Sequence, residues 1–155
     1  MASLPRIVSP EEAASLADFT VFQPRLPAGE WTVEALIDEA SFGFYVEIRG
    51  KRSDGASFAL AEVAEGGTER MASAMSEPPG VVGVTDLSAL ERQLRAADGT
   101  EATWGGITVR LAELQDGRLD AYFVRDGVEF CFSVSSLHAD EREAMFASLA
   151  PVKTG

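Results

Sequence analysis

The chain has 155 residues, of which 46% are hydrophobic and 25% charged, a balance typical of one globular domain. Its 25 acidic residues outnumber 13 basic ones and give a formal net charge of −12 at pH 7. Such a surface repels phosphate backbones and anionic lipid, so we expect binding to neither nucleic acid nor membranes. Cys131 is the only cysteine, which excludes an internal disulfide.

The N-terminal residues lack the basic segment and apolar run of a secretory signal, and no stretch reaches the roughly 20 apolar residues that cross a membrane. We therefore expect a soluble, cytoplasmic protein; the alternative is a domain excised from an extracytoplasmic protein. Residues 1–8 are expected to form an irregular arm. Ser9, Pro10 and Glu12 then provide an N-cap, a first helical residue and a capping box, which predict a short helix over residues 10–17.

Two prolines make residues 24–29 a rigid connector. Apolar and polar residues alternate in the three segments that follow, and this alternation predicts a three-stranded antiparallel meander. The segments are residues 31–38, 42–49 and 57–63. Residues 65–83 break the alternation with repeated glycine and proline, so we expect a long loop, with space for a helical turn between Met71 and Met75.

A second helix is predicted to begin at Thr85-Asp86 and to end at Asp98-Gly99, with Leu87, Leu90 and Leu94 along one face. Residues 101–135 then predict four antiparallel strands joined by two-residue turns. The turns are Gly105-Gly106, Asp116-Gly117 and Asp126-Gly127. The strands share one apolar face, formed by Ile107, Val109, Leu111, Leu119, Ala121, Phe123, Val128, Phe130, Phe132 and Val134. A last helix over residues 140–150 presents Met145, Phe146 and Leu149 on one side.

The order helix, three strands, loop, helix, four strands, helix predicts a single α+β domain over residues 1–155. We expect a curved, mostly antiparallel sheet of about seven strands. The three amphipathic helices are expected to cover its apolar face.

Two stretches of sequence carry a family resemblance. The first is EEAASLADFTVFQPRLPAGEW, and the second comprises WGGITVRL, FVRDGVEFCFSV and DEREAMFASLAP. Together they resemble the domain of unknown function that many bacteria attach to the extracytoplasmic side of anti-sigma factors and of some lipoproteins, a domain distantly similar to lipoprotein carriers. The resemblance implies a sheet with helices on one face and a binding or sensing role, and it transfers no catalytic residues. This sequence departs from the family in showing no transmembrane helix, lipid-attachment cysteine or zinc-binding anti-sigma helix.

The sequence offers little for catalysis, and we expect neither an enzyme nor a bound metal or cofactor. His138 is the only histidine and is expected to cap the last helix. No His or Cys pair has the spacing of a zinc site, and the calcium-like start at Asp116 lacks its bidentate glutamate. Cys131, with no base or cation beside it in sequence, is expected to be a small packed residue. The strand acids Glu34, Glu47 and Glu129 are expected to be solvated on the polar side of the sheet.

Two features are candidates for function. The first is an interface on the sheet face opposite the apolar one, where aromatic and arginine side chains are typical of binding surfaces. Its candidate residues are Tyr45, Glu47, Arg49, Trp104, Arg110 and Tyr122. The second is an apolar lid on the 65–83 loop, formed by Met71, Met75, Val81 and Val82.

The leading hypothesis is a non-catalytic binding or sensing module whose partner is another protein or a second copy of the same protein. The alternative is a carrier or sensor of an apolar ligand held between sheet and helices. The cavity that holds this ligand would be lined by Phe44, Phe58, Phe123, Phe130 and Phe132.

Overall fold

A computed structural model describes residues 6–40, 43–75, 87–104, 106–114 and 117–152, without the side chains of residues 40, 71, 74, 75 and 87–90. The helices in these ranges are α1 (Pro10–Leu16), α2 (Gly67–Met75), α3 (Leu87–Ala97) and α4 (Ala139–Ala147). The strands are β1 (Arg6–Val8), β2 (Phe22–Gln23), β3 (Trp31–Ala40), β4 (Gly43–Arg52), β5 (Ser57–Ala64), β6 (Thr100–Trp104), β7 (Ile107–Glu113), β8 (Leu119–Arg125), β9 (Val128–Ser135) and β10 (Ala150–Pro151).

Eight strands form one open antiparallel sheet in the order β1-β3-β4-β5-β9-β8-β7-β6, and β2 pairs with β10 in a separate ribbon. The predicted α+β class is confirmed. The described residues contain one more sheet strand and one more helix than predicted. The added strand is β1, which pairs with β3 where an irregular arm was expected; three residues are too few for alternation to reveal a strand. The added helix is α2, which occupies part of the predicted 65–83 loop.

Both predicted meanders form, β3-β4-β5 and β6-β7-β8-β9. Asp126 and Gly127 have φ angles of 52° and 78°, the positive pair that a type I′ turn requires. The β7–β8 connection is longer than the predicted two-residue turn, because Leu114 N donates to Arg118 O at 2.9 Å and closes the loop there. The two meanders meet at the centre of the sheet, where Leu60 on β5 pairs with Phe132 on β9.

The helix termini follow the predicted capping chemistry. The hydroxyl of Ser9 accepts a hydrogen bond from the Glu12 backbone N–H at 3.1 Å and caps α1. His138 is the N-cap of α4, and its backbone N–H donates to Glu141 Oε1 at 3.2 Å. The predicted cap of α3 at Thr85-Asp86 lies outside the described residues.

The apolar core lies between one face of the sheet and the layer formed by α1, α4 and the β2–β10 ribbon. Phe123 is the centre of an aromatic cluster, with ring centroids 4.8 Å from both Phe130 and Phe146. Phe22 of the ribbon meets Phe130 edge-on at 5.4 Å. The apolar face predicted for β7, β8 and β9 is therefore the face that is buried here.

The expectation that all helices cover this face is wrong for α3. This helix packs against β7 and β8 on the opposite side of the sheet, and α2 packs against α3. Gln93 and Ala96, three positions apart on α3, are both fully buried. The ribbon, α1 and α4 already occupy the apolar side, so the remaining helix pair covers buried polar strand residues instead. The result is a sheet with helices on both faces.

Candidate functional site: a basic cleft on the polar sheet face

The sheet face under α2 and α3, hereafter the polar face, is organised by strand register. One row crosses five neighbouring strands and joins the residues Glu47, Ala61, Cys131, Tyr122 and Arg110. The expected position of Glu47, Tyr122 and Arg110 on one face is thus confirmed. Strands lie about 4.8 Å apart, so Glu47 and Arg110 are separated by about 19 Å and belong to different parts of this face.

Glu47 is the centre of a charged cluster on this face. Its side chain is 3% exposed, and Oε1 accepts hydrogen bonds at 2.9 Å from the Tyr45 hydroxyl and from Arg92 on α3. Arg49 Nε donates to the other oxygen, Oε2. The expectation that Glu47 is solvated is therefore wrong, because α3 covers this position and supplies the second guanidinium.

The Tyr45 hydroxyl remains a donor in this cluster. Burial, reinforced by the neighbouring Glu47 carboxylate, raises the pKa of Tyr45 well above its ordinary value of 10.0. The phenol and the two guanidinium groups each donate to the carboxylate, so both of its oxygens are paired. Removing any one of them leaves a buried charge or polar group without its partner.

A second carboxylate cluster lies further along the polar face. Glu129 is 5% exposed, accepts a hydrogen bond from the Tyr122 hydroxyl, and receives the Thr68 backbone N–H of α2 at 3.3 Å. The Thr68 hydroxyl in turn accepts from Gln93 Nε2 at 3.1 Å. Glu129 is thus buried under α2, contrary to the expectation of a solvated acid, whereas Glu34 is exposed as expected.

Asp120 lies on β8, opposite Ser133 of β9, and is fully buried. Its carboxylate oxygens lie 3.7 Å from a terminal nitrogen of Arg95 and 3.5 Å from Arg118 Nε. Cys131 shares this layer, and burial raises the pKa of its thiol to about 12. The thiol is therefore protonated near neutral pH, which agrees with the predicted packed, unreactive residue.

A large cleft opens beside the Glu47 cluster, where α3 no longer covers the sheet; we call it the cleft. Its volume is about 1070 Å³. The floor consists of small side chains on the two central strands, namely Ser57 and Ala59 on β5 and Ser133 and Ser135 on β9. The long side chains of Arg49, Lys51, Arg92 and Arg118 line its sides. The cleft thus exists because short residues lie between long ones.

The charge of the cleft is opposite to that of the whole protein. Its lining includes the four basic side chains above and three acidic ones, Glu30, Glu34 and Glu47; a fifth basic residue, Arg52, pairs with Asp54 and Glu141 on the apolar side of the sheet. The sequence has a net charge of −12, and only 13 of its residues are basic. Four of these 13 cations therefore border one concavity and outnumber the acidic side chains of its lining by one, which favours binding of an anion there.

The remaining candidate interface residues lie elsewhere. Arg110 is exposed and donates to Gly99 O at 3.1 Å. Trp104 pairs with Ile107 and lies on the apolar side, with its ring 5.3 Å from Phe146, so its predicted place on the polar face is wrong. The Trp104 ring is covered by α4, the helix that contains Phe146.

The predicted lid is only partly within the described residues. Met71 and Met75 belong to α2, but their side chains are not described, and Val81 and Val82 lie outside the described residues. Arg92 and Asp120 were missed as site residues. Arg92 lies on α3, the helix that the leucine pattern predicts. Its contact with Glu47 joins positions 45 residues apart, so no local pattern could identify it.

The titratable side chains beside the cleft have defined charge states. The carboxylate of Glu47 is neutralised by two guanidinium groups, and both Tyr45 and Cys131 hold their protons near neutral pH. Across the described ranges, no group of three or more His, Cys, Asp or Glu side chains is arranged to hold a metal ion. No helix in those ranges has the length and hydropathy to span a membrane.

Four of the five phenylalanines expected to line an apolar ligand site are in contact with other aromatic rings, namely Phe58, Phe123, Phe130 and Phe132. Phe58 lies 6.3 Å from Phe132 and 5.7 Å from Trp31, measured between ring centroids. Together with the Phe123 cluster, these rings occupy space between the sheet and its apolar-side cover. The apolar carrier stays a prediction to which these contacts give no specific support.

The protein was also compared with known proteins. No family model matches it, and neither the curated proteins nor the solved structures include a match. The resemblance to the anti-sigma-associated domain therefore stays a prediction, and the site described above is argued from its own geometry.

Proposed function

We propose that this protein is a non-catalytic binding module that holds an extended segment of a partner protein in the cleft. The observation that carries the proposal is the combination of a volume of about 1070 Å³, a floor of short side chains and a cationic border. Small-ligand pockets typically measure roughly 300–1,000 Å³ and enclose most of their ligand. This cleft is slightly larger than that range and open, which favours a segment of polypeptide.

The floor of the cleft also suits an extended peptide. Ser57 pairs with Ser135 and Ala59 with Ser133, so the short side chains form a trough that runs along β5 and β9. Successive floor residues on one strand are two positions apart. An extended segment lying along this trough has the same repeat of two residues, about 6.6–6.8 Å, and can direct alternate side chains to the floor.

A selection of random peptides displayed on phage tests the proposal. The wild-type protein is the bait, and the variant Ala59→Phe serves for counter-selection because a phenyl ring on the floor fills the trough without changing charge. Thr103→Phe is the matched control, since it adds the same ring at an exposed residue of the edge strand β6. Circular dichroism verifies that each variant is folded.

We expect peptides whose affinity falls by about tenfold or more with Ala59→Phe and is unchanged with Thr103→Phe. Selected peptides that bind both variants equally, or the absence of any selected peptide, would contradict the proposed function. Native mass spectrometry of the wild type adds a second readout: a dimer that Ala59→Phe dissociates identifies a second copy as the partner.

A further inference from the structure

We infer that the guanidinium groups of Arg49 and Arg92 form a preorganised receptor for a carboxylate of the bound segment. The inference rests on the proposed function and specifies the chemistry by which the cleft recognises its ligand. The two arginines come from different elements, β4 and α3, and converge on one buried acid.

The geometry leaves both guanidinium groups able to bind a second anion. Arg49 contacts Glu47 through Nε, and Arg92 contacts it through one terminal nitrogen. Each guanidinium has three nitrogens carrying five N–H donors, so most donors of each lie beyond the Glu47 contact. The side chains of Arg49 and Arg92 are 35% and 20% exposed, and both line the cleft, whereas the Glu47 side chain is 3% exposed.

Glu47 acts as a positioning residue for the pair. A free arginine side chain loses much of its rotamer entropy when it is fixed on a ligand. Here the contact with Glu47 already restricts both side chains before any ligand arrives. Restraint of this kind lowers the cost of binding, since the groups are preorganised.

Charge in the cleft supports an anion over a cation. Arg49 and Arg92 exceed the charge of Glu47 by one unit, and Lys51 and Arg118 border the same space. The negative charges of Glu34, near Arg49, and of Asp120, near Arg92, reduce this positive charge. Apart from Arg52, which pairs with Asp54 and Glu141, the lining has four basic and three acidic side chains, so it keeps an excess of one positive charge.

A carboxylate suits the donors because its two oxygens lie in a plane and accept from the planar edge of a guanidinium group. Aspartate, glutamate and the terminal carboxylate of a peptide all supply this group. Inorganic phosphate offers a third oxygen and a higher charge, and it is the competing ligand that the experiment has to separate.

The experiment uses the 155-residue protein labelled with ¹⁵N, and glutarate and inorganic phosphate as probes at constant ionic strength. The Nε–Hε signals of the arginines report binding at the guanidinium groups directly. We expect glutarate to shift the signals of Arg49 and Arg92 along saturable curves, and to leave that of Arg110 unchanged. Arg110 is the internal control because it lies on the same sheet face, outside the cleft.

The variants separate recognition from folding. Arg92→Gln is expected to weaken glutarate binding by about tenfold, the loss typical of one charge-assisted contact. Arg92→Lys keeps the charge beside Glu47 and removes only the planar group, so it tests recognition if Arg92→Gln fails to fold. We expect it to bind glutarate more weakly than the wild type, while Arg110→Gln binds as the wild type does.

Absence of any shift at Arg49 and Arg92 overturns the inference, as does phosphate binding that is tighter than glutarate binding. Cleft-dependent peptides that bind Arg92→Gln as well as the wild type would overturn the inference and leave the proposed function intact. Glutarate binding at the pair without any cleft-dependent peptide would support the carboxylate site and count against the proposed peptide-binding function.

Discussion

The buried carboxyl of Glu62 makes the stability of this protein depend on pH in a direction that can be calculated. Glu62 lies on the apolar side of β5, fully buried, and pairs with Val46 and Phe130 across the sheet. Its Oε1 accepts the Phe22 N–H at 2.6 Å, and Oε2 has no hydrogen-bond partner among the described residues. The substitution Glu62→Gln keeps an acceptor for Phe22 and removes the titration.

The sign of the effect follows from desolvation. Burial raises the pKa of Glu62 well above its ordinary value of 4.5, although the Phe22 N–H opposes the shift. As pH rises past 4.5, the unfolded polypeptide loses a proton that the folded protein keeps. The free energy of unfolding therefore falls by about 1.4 kcal/mol per pH unit until the folded carboxyl itself ionises, and then stays level. Glu62→Gln lacks this loss.

The assay is urea denaturation followed by circular dichroism, between about pH 5 and about pH 8 at fixed ionic strength. We expect the stability of Glu62→Gln relative to the wild type to increase from the acid end of this range upward, and to level off where the folded carboxyl ionises. Glu113→Gln is the control, because Glu113 is an exposed strand glutamate. If the difference between Glu62→Gln and the wild type does not change with pH, the desolvation argument is refuted.

Two further predictions concern packing. A Cβ added at Gly50 would lie 2.2 Å from the Phe58 ring, so Gly50→Ala is expected to cost about 1–3 kcal/mol of stability in urea denaturation. The cost should shrink when Phe58→Leu relieves the overlap; an equal cost in both backgrounds would exclude the clash as its cause. For Cys131, burial and a thiol pKa of about 12 predict that Ellman's reagent reacts at about pH 8 only after the protein is unfolded in guanidinium. Rapid stoichiometric reaction of the native protein would contradict this placement.

Local patterns predicted the parts of the fold that neighbouring residues determine. Asp126-Gly127 predicted its turn because positive φ angles strongly select asparagine, aspartate and glycine. Ser9 and Pro10 likewise predicted the start of α1, since the capping bonds form within one turn. The aromatic face of β9 followed from simple alternation, and the structure confirms it.

Contacts between distant residues were not predictable in this way. The leucines of α3 indicated an amphipathic helix but not which side of the sheet it covers. That choice depends on the polar layer around Gln93, Thr68 and Asp120, which comes from three separate elements. Glu47 was chosen as an interface residue from its strand position, but its two arginine partners show it to be the buried support of the cleft.

The central β5–β9 pair also determines how the protein must fold. Each meander can form from neighbouring residues, whereas this pair joins segments that are far apart in sequence. Even Ala64 and Val128, the closest partners, close a loop of roughly 60 residues, at an entropy cost of about 4 kcal/mol. We expect the two halves to form early and to associate slowly along β5 and β9, so that the cleft, whose floor spans both strands, is completed only in the last step of folding.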